Sequence, residues 1–225
     1  PETLRAEATR IGALPLQLGR ELDHARTLEG WIWSGPDGQR LALPIPALRG
    51  PFQLDNATAA IAALTSLRER LPVQVIAIRA GLQLACLPGR FQVMPGAVTW
   101  ILDVAHNGEA AEALAANLRD FACSGRLRAV LAVLADKNPE RLVAPIREYV
   151  NDWYLAQSED ARALPVEQLS KRLDGLIGTN RRGAFGDVAE AIGAALAESA
   201  PGDVLLIVGS FTTVGQALRH PACPA

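Results

Sequence analysis

From Leu87 onward the sequence alternates short β-rich runs with longer amphipathic ones, and this alternation limits the possible folds more than any other feature. A chain that repeats strand and then helix lays its strands in parallel, with crossover helices covering both faces of the sheet. The strands are expected near 99–104, 128–134, 153–156, 184–185 and 204–208, and the helices near 109–121, 139–150, 165–176, 187–200 and 212–219. Asn138 before Pro139 supplies an N-cap ahead of a proline at the first helical position, where a missing N–H costs nothing, and Leu164-Pro165 repeats the device. Leu114, Leu118 and Phe121, and likewise Val188, Ile192, Ala195 and Leu196, give each helix a stripe to bury. Five βα units in succession predict a small, Rossmann-like, doubly wound α/β domain over 88–225.

Residues 1–87 read differently. Trp31-Ile32-Trp33 and Leu41-Ala42-Leu43 flank the turn-rich Ser34-Gly35-Pro36-Asp37-Gly38, a hairpin signal. Asp55 is expected to cap a helix over 56–70, and a second helix is expected over 75–84, ended by Pro88-Gly89. A hairpin and two helices are too little for an ordinary independent fold, so this stretch is expected to be the tail of a domain that begins further upstream. An opening at Pro1 without Met agrees with that expectation.

Composition excludes several classes. Of 225 residues 49% are hydrophobic, enough for a real core, and a net charge of -2 leaves no surplus of cations for a nucleic-acid backbone. Three widely spaced cysteines, Cys86, Cys123 and Cys223, fit neither a disulfide framework nor a zinc site and point to a reducing, cytoplasmic setting. The longest apolar runs are too short for a membrane span.

Chemistry-bearing residues cluster where strands end. Ile101-Leu102-Asp103-Val104-Ala105-His106-Asn107-Gly108 closes a hydrophobic strand with an acid, a histidine and an amide just before a helix. In an open α/β sheet that is the ligand-binding crevice, and His106 would add a proton donor or a positive charge beside the helix N-terminus. Spacing alone leaves a second reading open, in which Asp103 and Asn107 only cap the helix. Arg90, in Leu87-Pro88-Gly89-Arg90-Phe91-Gln92, lies between the two halves, where a guanidinium would reach a bound nucleotide, although a lone arginine is more often a solvated group. Asn56 offers a donor and an acceptor to a purine edge, or is simply a helix-start residue. Lys137, in Ala135-Asp136-Lys137-Asn138-Pro139, and Ser210, in Val208-Gly209-Ser210-Phe211-Thr212, follow strands in the same way; a capped turn explains the former almost as well. His24 and His220 have no partner at ligand or triad spacing and read as surface residues. There is no GxGxxG after a strand and no Gly-Lys pair, hence no Walker A loop within these residues.

Taken in order, Asn56-Ala57-Thr58-Ala59-Ala60, LPGRFQ at 87–92, DVAHN at 103–107, ADKN at 135–138, NDWYLA at 151–156 and VGSFTTV at 208–214 resemble the folylpolyglutamate synthase and dihydrofolate synthase family of the Mur ligase superfamily. The resemblance runs from about Leu18 to the end, and it implies the tail of a central ATPase domain followed by a whole C-terminal glutamate-ligase domain. It further implies that Asn56, Arg90 and Asp103 contact ATP, with His106 near the phosphates as a candidate catalytic group and Lys137 and Ser210 as substrate candidates. The implied reaction is ATP-driven addition of L-glutamate to dihydropteroate or folates through an acyl phosphate. Magnesium ligands and the P-loop would lie mainly in an N-terminal part, leaving this stretch inactive alone, and the parent enzyme would be a monomer. Gly108 departs from the family's proline after the His-Asn pair and should loosen the start of that helix modestly. A Mur-type ligase for another substrate, and a stand-alone small-molecule-binding module of Rossmann-like fold, are the alternatives.

Overall fold

The computed structural model describes residues 2–224, which divide into two compact units, one spanning 2–48 and 52–85 and the other 49–51 and 86–224. The first unit contains α1 (Glu2–Arg10), β1 (Asp23–Arg26), β2 (Trp31–Ser34), β3 (Arg40–Leu43), α2 (Gln53–Ser66) and α3 (Val75–Leu84). Its strands form an antiparallel sheet in the order β1-β2-β3, with Trp31 and Trp33 of β2 buried against Leu54, Ala57 and Ile61 of α2. Burying two indoles leaves two N–H groups to satisfy, and carbonyls do so: Trp31 donates to Pro44 at 2.9 Å and Trp33 to Thr58 at 3.2 Å.

Two sequence expectations fail in this unit. α2 begins at Gln53 and ends at Ser66, so Asp55 lies inside its first turn and caps nothing. The Asp55 carboxylate is taken instead by His24 Nε2 at 2.6 Å, so His24 is a partnered residue and not a free surface one. A sequence separation of 31 hides that pair. β1, which presents His24, was not anticipated because this mostly exposed edge strand carries no apolar alternation.

The second unit contains β4 (Gln92–Met94), β5 (Thr99–Asp103), α4 (Gly108–Asp120), β6 (Leu127–Leu131), α5 (Pro139–Val143), β7 (Asp152–Ala156), α6 (Val166–Ile177), β8 (Arg181–Phe185), α7 (Val188–Ala197), β9 (Val204–Val208) and α8 (Phe211–Leu218). Its six-stranded sheet has the order β4-β5-β9-β6-β7-β8; β4 runs antiparallel at one edge and the rest are parallel. β6, β7 and β9 are buried throughout; β9 is an unbroken apolar run, while β6 and β7 each carry one charged residue near their amino ends, Arg128 and Asp152. α4, α5 and α6 cover one face and α7 and α8 the other. The helix expected over 139–150 stops at Val143, because Pro145 has no N–H to continue the ladder, and turns carry the chain onward.

At the amino end of this sheet lies a buried charge network. Arg128, 5% exposed, pairs with Asp203, 6% exposed, and also donates to the Glu198 carbonyl at 2.7 Å. Asp152 accepts from Arg126 and Arg182. Next to it the Tyr154 hydroxyl is buried without a hydrogen-bond partner among the described residues, and burial, with the Glu198 carboxylate near, pushes it up to about 12. A buried hydroxyl that makes no bond contributes nothing to offset its desolvation. Tyr154→Phe is therefore expected to leave the unfolding free energy unchanged or raise it by up to about 1 kcal/mol, and a clear loss in urea denaturation would contradict this.

Candidate functional site

β9 lies between β5 and β6, and the helices that leave these three neighbouring strands depart to opposite faces: α4 and α5 to one, α8 to the other. Such a reversal opens a crevice at the carboxyl ends of the strands, where an open α/β sheet binds its ligands. Three loops line it: 104–107 after β5, 132–138 after β6, and 209–210 after β9.

Asp103, the last residue of β5, organises the first of these loops. Its Oδ1 accepts from the Ala105 amide at 2.8 Å and its Oδ2 from the Phe91 amide at 2.9 Å, so a single carboxylate ties the Arg90 loop to the His106 loop. Burial pushes the carboxyl up, opposed by the Ala105 and Phe91 amides and by the nearby Arg90 guanidinium. Asp103 does not cap α4; Asn107 does, accepting from the Ala110 amide at 2.9 Å. That cap starts the helix directly at Gly108.

His106 Nδ1 lies 3.0 Å from the Val104 carbonyl oxygen. A carbonyl only accepts, so Nδ1 carries the proton and Nε2 is left free to accept a proton or, in the imidazolium, to donate one. The loop on the other side of Asp103 is conformationally unusual: Gly89 has φ 70° and Phe91 has φ 43°, and Phe91 is buried. A left-handed phenylalanine is uncommon and strained, and the Asp103 bond to its amide helps to hold it. A side chain at Gly89 would strike Val104, and the Gly89 carbonyl accepts from the Val104 amide at 2.8 Å. Arg90 is thereby presented outward from a fixed backbone.

The other candidates are placed as follows. Lys137 follows β6 and pairs with Asp136 at 2.8 Å. Ser210 follows β9 but is buried: it caps α8 by accepting from the Thr213 amide at 3.0 Å and shares hydrogen bonds with the Thr212 and Thr213 hydroxyls. Asn56 lies in the first unit, exposed on the first turn of α2, among the residues lining an apolar groove of about 350 Å³ between α2 and α3. Arg90, Asp103 and His106 thus share one edge of the second unit, with Lys137 and Ser210 on the neighbouring strand ends. Among the described residues no group of three or more His, Cys, Asp or Glu side chains converges. A guanidinium, an imidazole and the first-turn amides of α4 suit an anion. One feature was missed from sequence: the exposed Phe211 ring, 5.7 Å from the Arg90 guanidinium carbon. Nothing in the run Gly-Ser-Phe-Thr marks an aromatic that stays in solvent.

Fold and crevice together define an open, doubly wound α/β domain with a crevice at the carboxyl ends of β5, β9 and β6. Residues 89–211 match the family described as "Mur ligase, glutamate ligase domain". The chain belongs to the Mur ligase family, in its folylpolyglutamate synthase/dihydrofolate synthase branch. It is 36% identical over 219 residues to the dihydrofolate synthase/folylpolyglutamate synthase of Escherichia coli K12, an alignment covering 97% of this chain and 49% of that protein. The structure of E. coli FolC in complex with DHPP and ADP superposes with a TM-score of 0.82 at 36% identity, covering 97% of this chain and 50% of that one. A bifunctional folylpolyglutamate synthase/dihydrofolate synthase with Mn, AMPPNP and L-glutamate bound gives a TM-score of 0.81 at 34% identity, again covering 97% and 50%. The chain therefore spans about half the length of the relatives it matches. No helix among the described residues is long and apolar enough to cross a membrane.

Proposed function

We propose that this chain serves a cytoplasmic, ATP-dependent ligase that joins L-glutamate to the carboxylate of dihydropteroate, of folates, or of both. The observation that carries the reading is similarity over 97% of the chain to a protein of that activity name. The bound ligands named for the related structures, ADP, DHPP, AMPPNP and L-glutamate, agree with it.

In this reaction the γ-phosphoryl group of ATP passes to a carboxylate oxygen, giving an acyl phosphate and ADP. The amino nitrogen of glutamate then attacks the carbonyl carbon, phosphate leaves with the bonding electrons, and the nitrogen loses a proton. We assign Arg90, Asp103 and Asn56 to the ATP, with Arg90 opposing phosphate charge from its fixed loop. His106 presents Nε2 to the phosphates or to the departing proton, its orientation set by the bond from Nδ1 to Val104. Lys137 and Ser210 remain substrate-side candidates, Ser210 acting through the start of α8 that it caps. We assign 1–87 to the end of the ATPase domain and 88–225 to the C-terminal domain.

The 225 residues contain no Gly-Lys pair, so we assign the P-loop and the metal ligands to polypeptide outside them. Two assays test this division. The 225-residue chain alone is expected to release no ADP from ATP in the presence of glutamate and dihydropteroate or tetrahydrofolate. Joined to a P-loop segment encoded upstream in its own reading frame, it is expected to do so and to incorporate labelled glutamate. Turnover by the chain alone would refute the division of labour. Incorporation of a different amino acid would replace the folate reading by another Mur-type ligase.

A further inference from the structure

We propose that Phe211 is a positioning residue for Arg90, its ring serving as a platform that holds the guanidinium toward the nucleotide. The proposal rests on the assignment of Arg90 to ATP. Phe211 is the first residue of α8 and is 63% exposed, the most solvent-exposed aromatic side chain of the second unit. The Arg90 guanidinium carbon lies 5.7 Å from its ring centroid, within the range where a cation is attracted to the negative face of an aromatic ring.

Arg90 has no ion pair or side-chain hydrogen bond among the described residues; the Asp103 carboxylate attracts its guanidinium without bonding it, and the ring is the surface it lies over. Both ends of that contact are anchored. The Arg90 backbone is fixed by the Asp103–Phe91 and Val104–Gly89 hydrogen bonds, and Gly89 lies directly against Val214 of α8. Phe211 is fixed by the Ser210 cap at the start of the same helix. The backbone is held at both ends, and an arginine stem otherwise samples many rotamers that a ligand would have to freeze out on binding. The platform removes part of that cost in advance and leaves the guanidinium edges, which carry its N–H donors, open to phosphate.

Two measurements test the proposal. In the 225-residue chain, the ring should shift the Arg90 δ-methylene proton resonances upfield, and Phe211→Leu should abolish that shift while Phe211→Tyr preserves it. Unchanged Arg90 resonances in Phe211→Leu would overturn the proposal whatever the chain's activity. In the ligase joined to its P-loop segment, Phe211→Leu is expected to raise KM for ATP roughly two- to fivefold with kcat unchanged, and Phe211→Tyr to restore it. The same substitution in an Arg90→Ala background should change nothing further. If Arg90→Ala raises KM but Phe211→Leu is silent or fully additive with it, the platform fails while the nucleotide reading survives. If Arg90→Ala leaves the ATP dependence unchanged, the nucleotide reading fails and the platform with it.

Discussion

Asp203→Ala is expected to lower the unfolding free energy by about 3 kcal/mol, because it removes the hydrogen-bonded carboxylate partner of the buried Arg128, which keeps only the more distant Asp152. Asp203 precedes β9, where its carboxylate accepts from the Ala200 amide at 2.8 Å, the Arg126 amide at 2.7 Å and the Arg128 guanidinium. Arg128 is 6% exposed at its side chain, and without Asp203 it would keep the Glu198 carbonyl at 2.7 Å and the Asp152 carboxylate at 3.8 Å from its Nε. The pH dependence follows with a definite sign. Burial works against ionisation of Asp203, yet the Ala200 and Arg126 amides and Arg128 outweigh it, and the carboxyl titrates below the ordinary aspartate value of 3.8. Asp152 is likewise lowered, burial again being outweighed by Arg126 and Arg182. A depressed folded value means that this stabilisation is complete above the unfolded value and is lost as pH falls through the folded one. Wild-type stability should therefore decline below about pH 4, and Asp203→Ala should flatten part of that decline. Urea denaturation across pH measures both effects; a loss under 1 kcal/mol at neutral pH would show that the pair contributes little.

Gly209→Ala is the second large effect, at about 2–6 kcal/mol from backbone strain and overpacking together. Gly209 has φ 127°, outside the range that side-chain-bearing residues adopt readily, and a Cβ there would lie 2.1 Å from the Ala132 carbonyl oxygen. That oxygen cannot retreat cheaply, because it accepts from the Thr213 hydroxyl at 2.8 Å. The methyl group would push apart the loops after β6 and β9, the two that carry Lys137 and Ser210. Thermal unfolding should show the loss, and the amide resonances of Ser210 and Thr213 should shift; a stable Gly209→Ala protein with unmoved resonances would contradict the close approach.

Much of the second unit is legible in the sequence because its central strands are buried on both faces and are rich in apolar residues. Val204–Val208 is the clearest instance, and α3 at Val75–Leu84 coincides with its apolar run. β4 was illegible because three residues at a sheet edge carry no periodicity, and the early end of α5 was overlooked although Pro145 marks it. The candidate site divides along the same line. Asp103, His106, Lys137 and Ser210 are visible because each follows a strand, a position that sequence discloses. Their hydrogen bonds are not: that Asp103 holds Phe91 in a left-handed conformation, that His24 takes Asp55, and that Ser210 spends its hydroxyl on a cap are outcomes of tertiary packing. Phe211 was unreadable for the same reason, since its meaning depends on a guanidinium 121 positions earlier.

The position of β9 sets an order for assembly. Since β5 and β6 are joined through β9, a ribosome must deliver the chain as far as Val208 before the sheet can become one object. Until then the strands on either side of β9 have nothing to join them, and the crevice, which lies where the three strands meet, cannot form before β9 is in place.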